Sequence, residues 1–121
     1  MILTDAAANA GKDTATALDS DVLTKNYWSI GSSGDSLGCR ERWGNIPLSS
    51  AGRAFHMSHF RDVPTAITAK IDNARTKLRA RIMNECYASA RRYPNFLVLD
   101  FSDIGDGKEV VDWLNTPGVS P

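Results

Sequence analysis

The side chains best placed for chemistry in this chain are one carboxylate, two imidazoles and an arginine flanked by aromatic and cysteine residues. Asp100 closes the apolar run Phe96-Leu97-Val98-Leu99, which follows a Pro94-Asn95 turn signal and leads into the loop up to Gly107. A short continuous apolar run of this kind reads as a strand buried on both faces of a parallel sheet. The carboxyl ends of such strands are where α/β folds place reactive groups. Asp100 is therefore a candidate site residue. His59, near the end of the alternating run Arg53–Phe60, has the chemistry of a general acid, general base or ligand; the ordinary alternative is a hydrogen-bonded structural histidine. His56 is its only histidine neighbour, and three residues along a strand put the two rings on opposite faces, which argues against a metal pair. In Cys39-Arg40-Glu41-Arg42-Trp43, an Arg beside a Trp has the chemistry to bind phosphate or stack on a ring; a surface ion cluster with a half-buried Trp is the plainer reading. Cys39 and Cys86 lack the spacing of a zinc site and read as one disulfide or as two buried thiols.

The elements that must position these groups are legible along the chain. The 121 residues suffice for one domain. A formal net charge of +0 gives no global field toward nucleic acid or an anionic membrane. No apolar run approaches the roughly 18 residues of a membrane span. Met1–Asp5 reads as a short strand, Ala6–Ser20 as a loop or weak helix, and Val22–Ile30 as a second strand. The N-terminus lacks the basic and apolar regions of a signal peptide. Beginning inside a strand, the chain reads as a piece of something longer. Gly31–Gly52 is a loop whose glycines fit turns, because no Lys-Ser/Thr follows them as a phosphate loop requires. Arg53–Phe60 is a third strand.

Asp62–Arg92 reads as one long helix, capped by Asp62 or Thr65, with Pro64 in its first turn. Ile67, Ile71, Ala74, Leu78, Ile82, Cys86 and Ala90 recur at spacings of three and four and form one apolar face. The other faces carry Lys70, Arg75, Lys77, Arg79, Arg81, Arg91 and Arg92, seven of the 14 cations. Without interleaved aromatics they read as a solvated outer face rather than a nucleic-acid or membrane surface. After the Phe96–Phe101 strand, Asp106 and Glu109 resemble a capping box for a short helix through Leu114, stopped by Asn115 and Pro117. Strand, helix, strand, helix makes a parallel unit with a right-handed crossover. Up to four strands with too few helices for both sheet faces suggest a partial barrel.

Several of these motifs occur together in a known order: Ser58-His59-Phe60, Ile71–Ala74, Cys86, Pro94–Asp106 and Val110–Asn115. This order resembles the C-terminal part of the phospholipase C-like phosphodiesterases, the superfamily of the phosphatidylinositol-specific phospholipases C. The family has a strand ending in Asn-His-Phe, a helix with an internal Asn and a Cys, Pro-Asn-Phe, an apolar strand, Asp-Phe, Gly-Asp and a closing helix. Here Ser58 stands where Asn is usual, and the match spans residues 54–115. Trp28, Cys39 and Arg42 are similar to the family's preceding loop.

The resemblance implies an α/β fold: a partial (β/α)8 barrel in which residues 1–121 form a single C-terminal half-barrel supplying about the last four parallel strands, with one long and one short helix. It implies phosphodiester cleavage by two histidines acting as general base and acid, both outside this chain, so that the chain alone is inactive. His56 and His59 do not match their positions. Asp100 matches the carboxylate that orients a catalytic histidine, and Asp5, Trp28 and Arg42 fall where substrate contacts would lie. A phosphodiester lipid or related small molecule is the implied substrate, an N-terminal half-barrel the implied partner, and secretion the implied location. The chain itself needs no cofactor on this reading; calcium serves some members. The alternative is a non-catalytic α/β module that binds a protein or an anionic membrane through sheet edges or the basic helix 65–92.

Overall fold

Residues 2–4 and 16–119 are described by a computed structural model of the chain. Asp5 and most of the segment expected as loop or weak helix lie outside the described residues. Every strand pairing between named strands is parallel. Strand β1 (Ile2–Thr4) pairs with β2 (Thr16–Leu18); β3 (Leu23–Lys25), β4 (Ala54–His59) and β5 (Phe96–Leu99) form a second sheet in that order, with β4 central. A single helical turn, α1 (Asp19–Val22), separates β2 from β3. The stretch from Thr16 to Lys25 thus serves one sheet with its start and the other with its end.

Register divides the second sheet into two faces. Lys25 sits opposite His56, and His56 and Ser58 sit opposite Phe96 and Val98. The intervening residues Phe55 and Met57 turn to the other side, where they pack with Leu48, Leu78, Ile82, Cys86, Ala90 and Val110 as the core. The alternation read from Arg53–Phe60 therefore holds, because one face of β4 meets helices and the other does not.

Two asparagine side chains extend the ladder beyond its regular strands. Asn26 Nδ2 donates to the Ser58 carbonyl at 2.9 Å, and its Oδ1 accepts from Ser58 N–H at 2.7 Å. Asn95 Oδ1 accepts from Phe55 N–H at 2.8 Å while its own N–H donates to the Phe55 carbonyl at 2.9 Å. Each carboxamide or backbone pair imitates a neighbouring strand, so the ladder on β4 continues where β3 and β5 stop.

Three expectations are corrected. The helix over 62–92 is not continuous: it comprises α2 (Ala66–Asp72), α3 (Arg75–Ala80), a π-helical turn (Arg81–Cys86) and α4 (Tyr87–Ala90). Ala74 is extended (φ −64°, ψ 141°), which ends the first helical phase at Asn73. Consequently Ile67 and Ile71 are 82% and 58% exposed, and Ala69, Asp72 and Asn73 are buried in their place; Leu78, Ile82, Cys86 and Ala90 keep the apolar face. Second, Phe96–Leu99 is an outer strand rather than one buried on both faces: Phe96 is 53% exposed and the next three residues are half-buried. Third, Asp106 is the N-cap of α5 (Gly107–Leu114) but forms no capping box. Its carboxylate accepts from the Arg75 backbone N–H at 2.8 Å, and Glu109 pairs with the Arg75 side chain at 2.5 Å. The expected capping box is instead at Thr65 and Thr68.

Candidate functional site

The helix-free face of the second sheet gathers Lys25, His56 and Ser58, over which the loop after β3 lays Arg42. Ser58 is buried at the end of β4. Its hydroxyl accepts from Arg42 Nη2 at 3.3 Å and lies 3.4 Å from His56 Nε2. Arg42 Nε donates to the Asn26 carbonyl at 3.2 Å, and the guanidinium carbon lies 5.5 Å from the centre of the Trp28 ring. Lys25 pairs with Asp19 at 2.7 Å, both largely buried, and stands 5.6 Å from the Trp43 ring centre. Arg42 is thus fixed by an aromatic ring and a carbonyl, and Lys25 by an aromatic ring and the Asp19 carboxylate, with N–H groups to spare for a ligand.

His56 is held neutral on this face. Burial pushes its pKa down, and the Lys25 and Arg42 charges push it further, to about 4. It cannot serve as a cationic acid near neutral pH; it can accept or donate one hydrogen bond as a neutral ring. Two cations, Lys25 already paired with Asp19 and Arg42 without a carboxylate partner among the described residues, stand with a hydroxyl and a neutral imidazole on one face, a set that can receive a tetrahedral oxyanion mainly through Arg42.

On the opposite face, His59 is locked away from chemistry. It is fully buried, its Nε2–H donates to the Asp72 carbonyl at 2.8 Å, and its Nδ1 accepts from Arg81 Nη1 at 3.2 Å. Burial first, then the Arg81 charge, lower its pKa to about 4, against the pull of Asp72. His59 is therefore not a general acid or base but the structural histidine weighed against that role.

Arg81 corrects the reading of the basic helix as a solvated face. The π-helical turn carries it wholly inside. It donates to the carbonyls of Ser58 at 2.8 Å and of Tyr27 and Gly38 at 3.3 Å each, tying together the carboxyl ends of β3 and β4 and the loop between them. No carboxylate pairs with it among the described residues. Other cations of the segment are engaged too: Lys77, with Arg61 from just before the segment, holds buried Asp72 at 2.9 and 2.6 Å respectively, and Arg79 stacks 4.2 Å from the Trp113 ring centre. Burial alone would raise the Asp72 carboxyl, but the hydrogen bonds from Arg61 and Lys77 outweigh it and hold it below its usual range. Arg92 caps the carbonyls of Leu48, Ser50 and Arg53.

Asp100 follows β5 directly. Asn73 Nδ2 donates to its carbonyl at 3.0 Å and to that of Ile104 at 3.1 Å, fixing the loop that carries it. Its carboxylate has no hydrogen-bond partner among the described residues, and neither His56 nor His59 bonds to it. Trp28 and Arg42 do meet, as neighbours in one stack. Cys39 and Cys86 form a disulfide that joins the loop before Arg42 to the π-helical turn. Among the described residues, no three His, Cys, Asp or Glu side chains gather as a metal set. Sequence reasoning missed Lys25, Asn26, Ser58 as a ligand group, and Arg81. The alternation around His56 carried a signal for Ser58, but nothing in sequence marks a cation as buried. No family model, curated protein or solved structure matches this chain.

Proposed function

We propose that this chain is the phosphate-binding C-terminal part of a phosphoric diester hydrolase built as a (β/α)8 barrel. One observation carries the reading: the helix-free face of a sequentially ordered parallel sheet holds Arg42, Lys25, Ser58 and neutral His56. All-parallel sheets occur almost only with both faces covered, and in a barrel this face would be the lined interior. Further strands of an N-terminal half would add beyond β5, whose free edge is otherwise a hazard. Arg42 and Lys25 would bind the diester oxygens, and the general base and acid would be histidines of that other half. Asp100, at the carboxyl end of β5, would receive one of those imidazoles and hold its tautomer. The resemblance of residues 54–115 to phospholipase C-like phosphodiesterases supports the same assignment, with a phosphoinositide or related diester as substrate. The Cys39–Cys86 disulfide supports an oxidising, secretory location.

Phosphorus NMR of glycerophosphoinositol incubated with the chain tests the reading. The expected result is a broadened, shifted diester signal with no monoester appearing, and a clearly smaller shift at the same concentrations with Arg42→Gln. A sharp signal with the unaltered chain, or turnover by it, contradicts the proposal.

A further inference from the structure

The loop between Gly31 and Arg40 lines an open cleft, of about 370 Å³, against the segment that follows β3; its lining includes Tyr27, Ser36, Gly38, Cys39 and Arg40. Four carbonyls of this wall are already engaged. The carbonyls of Tyr27 and Gly38 take Arg81 Nη2, that of Cys39 takes the Ser89 hydroxyl at 2.8 Å, and that of Arg40 takes Tyr27 N–H at 2.7 Å. The donors are left over. Among the described residues, the N–H groups of Gly38, Cys39 and Arg40 and the hydroxyl of Ser36 have no acceptor in the protein.

Arg40 adds charge to those donors. Its guanidinium carbon lies 4.1 Å from the Tyr27 ring centre, and it pairs with no carboxylate among the described residues. A guanidinium stacked by its face keeps its N–H edge open for bidentate bonding. Behind the wall stands Arg81, a buried cation that pairs with no carboxylate among the described residues. The opposing charges are Asp62, which takes the Ser29 hydroxyl, and Asp35, beside Ser36. They disfavour a multiply charged guest. Gly31 fits the same use: at φ +83° its missing side chain leaves room that a Cβ would take from the Ser36 hydroxyl, 2.9 Å away.

We propose that this cleft binds a compact, singly charged oxyanion head, a phosphodiester or a carboxylate, held by Arg40, the N–H groups of residues 38–40 and Ser36. The site is separate from the Arg42–Ser58 cluster and does not depend on the hydrolase reading.

The test is an amide NMR titration of the full chain with dimethyl phosphate and with acetate, against sodium chloride at matched ionic strength and glycerol as a neutral control. The expected result is saturable movement of the Gly38, Cys39 and Arg40 signals with at least one anion, the tighter of the two naming the head. Arg40→Gln should weaken it about fivefold or more, in line with loss of a charge-assisted pair, with Ser36→Ala as a second variant; the spread of the amide spectrum reports whether each is folded. Linear movement, equal movement with chloride or glycerol, or undiminished affinity in folded Arg40→Gln would overturn the site. Arg42→Gln separates the two sites, since it should abolish only the effect on the sheet-face cluster.

Discussion

A buried guanidinium without a carboxylate is costly unless its donors are met; three carbonyls and a histidine nitrogen take the two Nη groups of Arg81, while its buried Nε has no partner among the described residues. Replacing it with Met leaves the Ser58, Tyr27 and Gly38 carbonyls short of a donor. Urea denaturation should show a loss of roughly 3 kcal/mol or more for Arg81→Met, against about 1 kcal/mol for Arg79→Ala, which gives up a partly exposed stack on Trp113. Similar losses for both would contradict the clamp. His59 makes a second prediction. Its folded pKa, about 4, lies below the unfolded value of 6.5, so the unfolded chain takes up the proton first. Its share of stability is complete above pH 6.5 and declines as pH falls toward 4, by on the order of 3 kcal/mol. His56 titrates in the same window and in the same direction, whereas Asp72 loses its share at still lower pH. Stability measured from pH 7 to 4 should therefore fall before the carboxylates titrate; a flat profile would contradict buried neutral imidazoles. The sequence made both histidines visible and allowed a structural His59. It could not reveal Arg81 as buried, because helical spacing places it among surface cations and only the π-helical turn carries it inward.

At the scale of elements, Asn73 decides most. It ends α2, and its amide holds the carbonyls of Asp100 and Ile104, while its own carbonyl accepts from Asp106 N–H at 2.9 Å. Gly105 approaches so closely, at φ +85°, that a Cβ would lie 2.7 Å from Asn73 Cβ. Asn73→Ala should cost about 2 kcal/mol, two neutral hydrogen bonds' worth, and should speed amide exchange in residues 101–106. Unchanged exchange there would remove Asn73 as the holder of the Asp100 loop. The strands and the closing helix were readable from alternation and apolar runs. The break was not, because a three-and-four spacing continues through Ile71, Ala74 and Leu78 while the backbone between them turns. The capping box at Asp106 failed for a related reason: local spacing cannot know that Arg75, from another element, competes for both acids.

For the whole molecule, the Cys39–Cys86 link spans 47 residues and ties the loop that carries Arg40 and Arg42 to the helical side. By loop-closure entropy its reduction should cost about 4 kcal/mol. Thermal melting with and without reductant checks this, and an unshifted midpoint would contradict it. The sheet's parallel order was within reach of sequence, and so was an α/β class. The cluster on its helix-free face was only partly so: Arg42 and Trp28 stood out and alternation put Ser58 on the face of His56, while Lys25 acquires meaning only from strand register.

The central claim, that this face reads a phosphodiester, is met most directly by calorimetric titration of the oxidised chain with glycerophosphoinositol, alongside Arg42→Gln and Arg40→Gln. The account predicts saturable binding weakened roughly tenfold by Arg42→Gln, as for loss of one charge-assisted hydrogen bond of about 1.4 kcal/mol or more, with a heat component that survives Arg40→Gln. Absence of binding, or a folded Arg42→Gln chain that binds as well as the original, would contradict it.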